Sequence, residues 1–155
     1  MSLTKPSRRT ANRYWVLSLW LLTALNTAAC TRSPSESALR EALDRMQEAA
    51  QMRDIGDFME GVADDFAGNS GEFDRAGLER MLRLVALRHQ SIGVTRTQTA
   101  IEMHGVRALV RMDLLVTGGS GGLIPDSGQH FETSSTWAFV AGEWLLTSAD
   151  WKTNL

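Results

Sequence analysis

Cysteine occurs once in the 155 residues, at Cys30, so no internal disulfide can brace the fold and the core must hold by packing. Tyrosine also occurs once, at Tyr14, so a domain beginning after residue 30 has no phenol to donate a proton. The three histidines, His89, His104 and His130, share no metal-ligand spacing with one another or with Cys30, and no metal site is expected. The longest apolar run, residues 14–25, falls short of the roughly 20 residues of a membrane-spanning helix. The glycine-rich stretch 118–128 lacks the Gly-Lys-Ser/Thr ending of a phosphate loop, so no nucleotide site is read there, and no cofactor is expected. The first 29 residues hold four of the 16 basic residues and none of the 18 acidic ones. The remainder carries 12 basic against 18 acidic residues, a net charge of −6, which argues against nucleic acid and against charge-driven adhesion to anionic lipid.

What the N-terminus does have is ordered. Lys5, Arg8, Arg9 and Arg13 precede the apolar run, and Thr27, Ala28 and Ala29 lead into Cys30. A basic start, a short apolar run and a small-residue exit are the parts of a secretory signal peptide. This stretch resembles the signal of bacterial lipoproteins, although Thr27 stands where leucine is usual. The resemblance implies cleavage after residue 29, lipid on the Cys30 thiol and anchorage in a cell-envelope membrane facing the periplasm. Thr31, where aspartate would retain the protein in the inner membrane, implies the outer one. An ordinary cleaved signal or an uncleaved anchor remains the alternative. The expected layout is a signal over 1–29, a tether over 30–34 and one domain over 35–155, large enough to bury a core.

Beyond the tether the period is helical. Ser33 to Glu36 reads as a capping box with Ser33 at the N-cap and Pro34 first in the helix. The helix runs to about Arg53, with Leu39, Ala42, Leu43, Met46 and Ala50 on one face. Asp57 to Glu60 reads as a second box, opening a short helix with Phe58, Val62 and Phe66 inward. Asp74 caps a third helix to His89, apolar on more than one side and so expected to lie between the sheet and the other helices.

From Ile92 the period becomes two. Strands over 94–103 and 106–117 are expected to meet at a His104-Gly105 turn, and strands from 129 and 143 at Ala141-Gly142. The first register sets Arg96 opposite Asp113 and Glu102 opposite Arg107 on the outer face. It sets Thr95, Thr97 and Thr99 on the core face with Val110 and Met112. The second sets Phe139 opposite Trp144, Trp137 opposite Leu146 and Ser135 opposite Ser148.

Helices followed by a long antiparallel sheet describe an α+β domain. The stretches Met52-Arg53-Asp54-Ile55-Gly56-Asp57, Ala63-Asp64-Asp65-Phe66, the helix from Asp74, and Gly142-Glu143-Trp144 resemble the nuclear transport factor 2-like family, the cystatin-like α+β cones. The resemblance spans residues 35–151. It implies a strongly curved antiparallel sheet wrapped round the third helix, enclosing a cone-shaped pocket. The family includes isomerases, dehydratases, polyketide cyclases and non-catalytic binding domains, so it does not choose among them.

The family's tyrosine donor cannot be carried over, since Tyr14 lies in the signal. Arg111 and Asp113 imitate part of an Asp-Arg-Asp set, but the register puts them outside, where a solvated charge ladder is the commoner use. Asp150 and His130 form a weak candidate dyad, and Asp64 or Asp65 could supply an acid at the cone. The expected pocket has Trp137 and Trp144 as walls, Thr97 and Thr99 as polar groups, and Asp65 near its rim. No catalytic set emerges. The reading is a non-catalytic domain binding a small apolar ligand or a periplasmic protein, with an isomerase, dehydratase or cyclase as the alternative. A homodimer through the outer sheet face is also expected, where Leu109 and Leu115 sit among charges.

Overall fold

The computed structural model describes residues 33–120 and 126–154, leaving the signal stretch, Cys30 and the tip of the glycine-rich loop outside the described residues. Helix α1, Glu36–Met52, begins at Ser35, whose hydroxyl accepts the Ala38 N–H at 3.2 Å. The cap is thus Ser35 rather than Ser33. This choice places Glu36 in the first turn, where a carboxylate suits the helix dipole and pairs with Arg40 at 2.7 Å. The helix ends where Arg53 turns left-handed, at φ 59°. Asp54, not Asp57, then caps α2, Ile55–Glu60, by accepting the Asp57 N–H at 3.0 Å.

The short helix stops at Gly61. Val62–Gly68 is a strand, β1, where a helical continuation is predicted. Parallel pairing with the last strand decides this: Val62 lies opposite Leu146, and the Leu146 N–H donates to the Gly61 carbonyl at 2.9 Å. The strand buries Val62, Ala63 and Phe66 and leaves Asp64 and Asp65 in solvent. A turn through Asn69, Ser70 and Gly71 leads to β2, Phe73–Asp74, and Asp74 caps helix α3, Arg75–Arg88.

The remaining strands are β3, Ser91–His104; β4, Arg107–Gly119; β5, Ser127–Val140; and β6, Glu143–Asn154. The curved, unclosed sheet runs β2-β1-β6-β5-β4-β3. The β5–β6 turn is Ala141-Gly142, both at positive φ, and it pairs Phe139 with Trp144 and Trp137 with Leu146 as predicted. Further out, a register shift sets Ser135 opposite Ala149 rather than Ser148.

The β3–β4 turn is one residue later than predicted. It is Gly105-Val106, with Gly105 first at φ 64°, as a type II′ hairpin turn requires of its first residue. Glu102 therefore faces Leu109 and not Arg107. A bulge follows: Arg96 lies opposite Leu114 and Gln98 opposite Asp113, so Thr97 has no counterpart. One extra residue reverses the facing of everything beyond it. Thr95 and Thr97 become exposed, while Ile92, Val94 and Arg96 turn toward the helices.

The core forms where α1 meets the inner sheet face. Leu39, Leu43 and Met46 pack with Val110, Trp137, Trp144 and Leu146. Each such side chain contributes about 1.5–3 kcal/mol by leaving water. Helix α3 is not enclosed as predicted: Leu78 is buried, but Leu84 and Leu87 are 54% and 84% exposed. The sheet therefore curves about α1, and α3 lies at its β1–β2 end. The α3 C-terminus is tied down by Arg53, whose guanidinium donates to the Ala86 and His89 carbonyls. The His89 ring then lies on Gly118, where any Cβ would come within 2.5 Å of Nδ1.

Asp74→Ala should lower stability by about 1 kcal/mol in urea unfolding, because the Gly77 N–H loses its acceptor at 2.6 Å. Asp126 offers a pH test. Its carboxyl is held below its ordinary pKa by hydrogen bonds from the Ser120 side chain and N–H. A depressed folded pKa contributes stability above the unfolded value, which is lost as pH falls through the folded one. The protection of the Ser120 N–H from exchange should therefore fall in acid, and Asp126→Ala should remove that dependence.

Candidate functional site

A cavity of about 310 Å³ lies between the helices and the inner sheet face. Helix α1 supplies Leu43 and Met46, α3 supplies Leu82, β4 supplies Leu114, and β5 supplies Phe131 and Trp137. These positions follow from periodicity. The α1 residues lie on its inward stripe, and even-numbered β4 residues face the helices along an uninterrupted strand.

Four polar side chains reach the wall. Two are hydroxyls already engaged with backbone. Thr133 donates to the Met112 carbonyl at 3.0 Å, and Ser135 donates to the Val110 carbonyl at 3.3 Å while accepting the Trp137 indole N–H at 3.0 Å. The third is Gln47. Its amide nitrogen donates to the Val94 carbonyl at 3.1 Å, beside Gln51 at 2.7 Å. A carbonyl only accepts, so the amide orientation is fixed, and Gln47 Oε1 is buried with no partner.

The fourth is Arg96, brought inside by the Thr97 bulge and hydrogen-bonded through Nη2 to Asp44 of α1. Asp44, Gln47 and Gln51 are three and four residues apart, so one stripe of α1 ties down the edge strand β3. Neither Arg96 nor Gln47 is predicted from the sequence. The polar stripe on α1 is the signal that could have found them.

The predicted pocket residues divide. Trp137 is in the cavity wall. Trp144 is buried but stands in the core beside Phe139, with its indole N–H on the Ser35 carbonyl at 3.2 Å. Thr97 is exposed, because the bulge turns it out. Thr99 borders a different hollow, and Asp65 stands in solvent on β1. Asp64 is likewise exposed, 3.8 Å from Arg75.

The outer face bears that second hollow, an open trough of about 870 Å³. Arg111, Asp113, Glu132, Asp150 and Lys152 border it. Arg111 and Asp113 are outside as predicted, but Arg111 pairs with Glu102 diagonally, at 2.6 Å, and Arg96 is absent from this ladder. Asp150 accepts the Ser70 N–H at 2.8 Å. It lies opposite Ser134, four residues along β5 from His130, so about 13 Å separates the members of the predicted dyad. Among the described residues no group of three His, Cys, Asp or Glu side chains could hold a metal ion, and no helix is long and apolar enough to cross a membrane.

An α+β domain with a curved open sheet and an apolar cavity beneath it is a cone of the nuclear transport factor 2-like, or cystatin-like, fold. Solved structures share it. A protein from Novosphingobium aromaticivorans, provisionally named a scytalone dehydratase, matches with TM-score 0.68 and 14% identity over 77% of this chain and 83% of its own. A provisionally named dehydratase of the same fold family from Streptomyces avermitilis matches with TM-score 0.65 and 18% identity over 77% and 95%. A Nostoc punctiforme protein of unknown function with a cystatin-like fold matches with TM-score 0.61 and 13% identity over 77% and 90%. No protein-family model and no curated protein sequence matches the chain. At these identities the likeness is one of fold.

The Ser135–Trp137 hydrogen bond in the cavity wall makes a quantitative prediction. Ser135→Ala should cost about 1–3 kcal/mol, since it strands a buried indole N–H. Adding Trp137→Phe should cost less than the two single changes summed, in a double-mutant cycle by urea unfolding.

Proposed function

We propose that this protein is a cell-envelope lipoprotein, anchored through Cys30, whose cone holds a small apolar molecule without transforming it. The observation that carries the binding half is the make-up of the cavity wall. Among the described residues that form it there is no carboxylate, histidine or tyrosine, and its two hydroxyls are spent on backbone carbonyls. Proton transfer at neutral pH needs a positioned group of suitable pKa. Mostly apolar walls with a few oriented polar groups favour binding. The sequence from Lys5 to Cys30 supports the anchoring half, and Thr31 favours the outer membrane. Two acyl chains or more would hold the protein stably where one would not.

A second reading has its own support. Two proteins of the same fold carry provisional dehydratase names, which favours an enzyme acting on a small apolar substrate in the cone. Asp64 and Asp65 separate the readings. Both stand in solvent, so in a binding protein Asp64→Asn and Asp65→Asn should leave ligand affinity unchanged and stability within about 0.5 kcal/mol. Loss of turnover of a ketosteroid-like or polyketide-like substrate in either variant would establish the enzyme instead.

Anchoring is checked by mass spectrometry of membrane-extracted protein. The expected product begins at Cys30 and carries acyl mass, and Cys30→Ala should release the protein from the membrane fraction. An unmodified soluble product would refute the anchor.

A further inference from the structure

Resting on the binding reading above, we propose that the molecule held in the cone is an apolar carboxylate whose head is received by Arg96. The argument begins with the bulge. Without the extra residue at Thr97, a uniform ladder would set Arg96 on the outer face with Gln98 and Asp113. The bulge brings the Arg96 side chain to the edge of a mostly apolar wall, with its guanidinium on Asp44, which is not part of that wall, and re-aiming a side chain is a recurrent use of bulges beside functional sites. Arg96 is the one ionisable side chain on that wall among the described residues.

A half-buried cation needs an anion. Arg96 has one in Asp44, engaged through a single guanidinium nitrogen. The Arg96 side chain is 22% exposed, whereas Asp44 is 65% exposed and reaches the guanidinium from the solvent side through Nη2. A guanidinium has five N–H donors in a planar fork that matches both oxygens of a carboxylate. Among the described residues only the Nη2 bond to Asp44 is made, which leaves donors for a second acceptor. An acid with an apolar body satisfies the fork at its head and fills the cavity with its tail. An amine head would meet like charge at Arg96, and a neutral ester would forgo the charge-assisted bond.

The test compares 4-phenylbutanoate with its methyl ester, titrated by calorimetry into the protein isolated from cells expressing the full chain and held in lipid nanodiscs, with empty nanodiscs as the blank. The parent should bind the acid at least about tenfold more tightly than the ester, the effect of one charge-assisted hydrogen bond. Arg96→Gln should abolish that preference while the ester binds within about twofold of the parent. Asp44→Asn leaves Arg96 in place and frees it from its competitor, so it should tighten acid binding and leave the ester unchanged. Equal affinity of the parent for acid and ester overturns the carboxylate assignment but leaves the binding reading standing. A preference that survives Arg96→Gln overturns the role of Arg96. Should Arg96→Gln fail to fold, Asp44→Asn decides: acid binding that is unchanged or weaker overturns the proposal. Binding of neither probe by the parent removes the binding reading and this inference with it.

Discussion

Burial of one face of α1 against the concave side of the sheet is the constraint from which the remaining arrangement follows. With a single cysteine the chain has no internal covalent brace, so Leu39, Leu43 and Met46 must find enough apolar surface in the strands. A flat sheet would touch a helix along one line. A curved one reaches α1 from β6 at one side to β3 at the other. The same curvature leaves room beyond the end of the tightly packed region, where Leu82, Leu114 and Phe131 face one another across open space. The cavity is thus a by-product of how the core is made, and its apolar character comes from the same residue pattern.

The polar stripe of α1 has a different task. Strand β3 is an edge, and an edge exposes backbone groups that invite pairing with other chains. Gln47 and Gln51 both donate to the Val94 carbonyl, and Asp44 holds Arg96 two residues on. At the opposite edge β2 is two residues long. Each edge is blunted by its own means, one by helix side chains and the other by brevity.

Much of this was legible in the sequence wherever a local signal determined the geometry. The α+β class, the stop of α1 near Arg53, the cap at Asp74, the Ala141-Gly142 turn and the inward face of β4 all follow from periodicity or from one residue's backbone preference. Strand β1 was not legible. Phe58, Val62 and Phe66 are four apart, which suits a helix, and the partner that makes Val62 extended lies more than 80 residues away on β6. The Thr97 bulge was not legible either, because Arg96, Thr97 and Gln98 include no glycine to mark it. That single miss carried through to the site. It placed Thr95 and Thr97 inside and Arg96 outside, whereas Trp137, on a strand read in correct register near its turn, was placed in the wall.

The scarcity of titratable groups around the cone bears on the conditions under which it works. Carboxylates and imidazoles change charge between about pH 4 and 7, and the described residues of the wall include neither. Arginine keeps its proton across that whole interval. The lining of the cone therefore holds no side chain that gains or loses charge over that interval. Such a wall offers shape and apolar surface, and neither of these varies with the acidity of the medium.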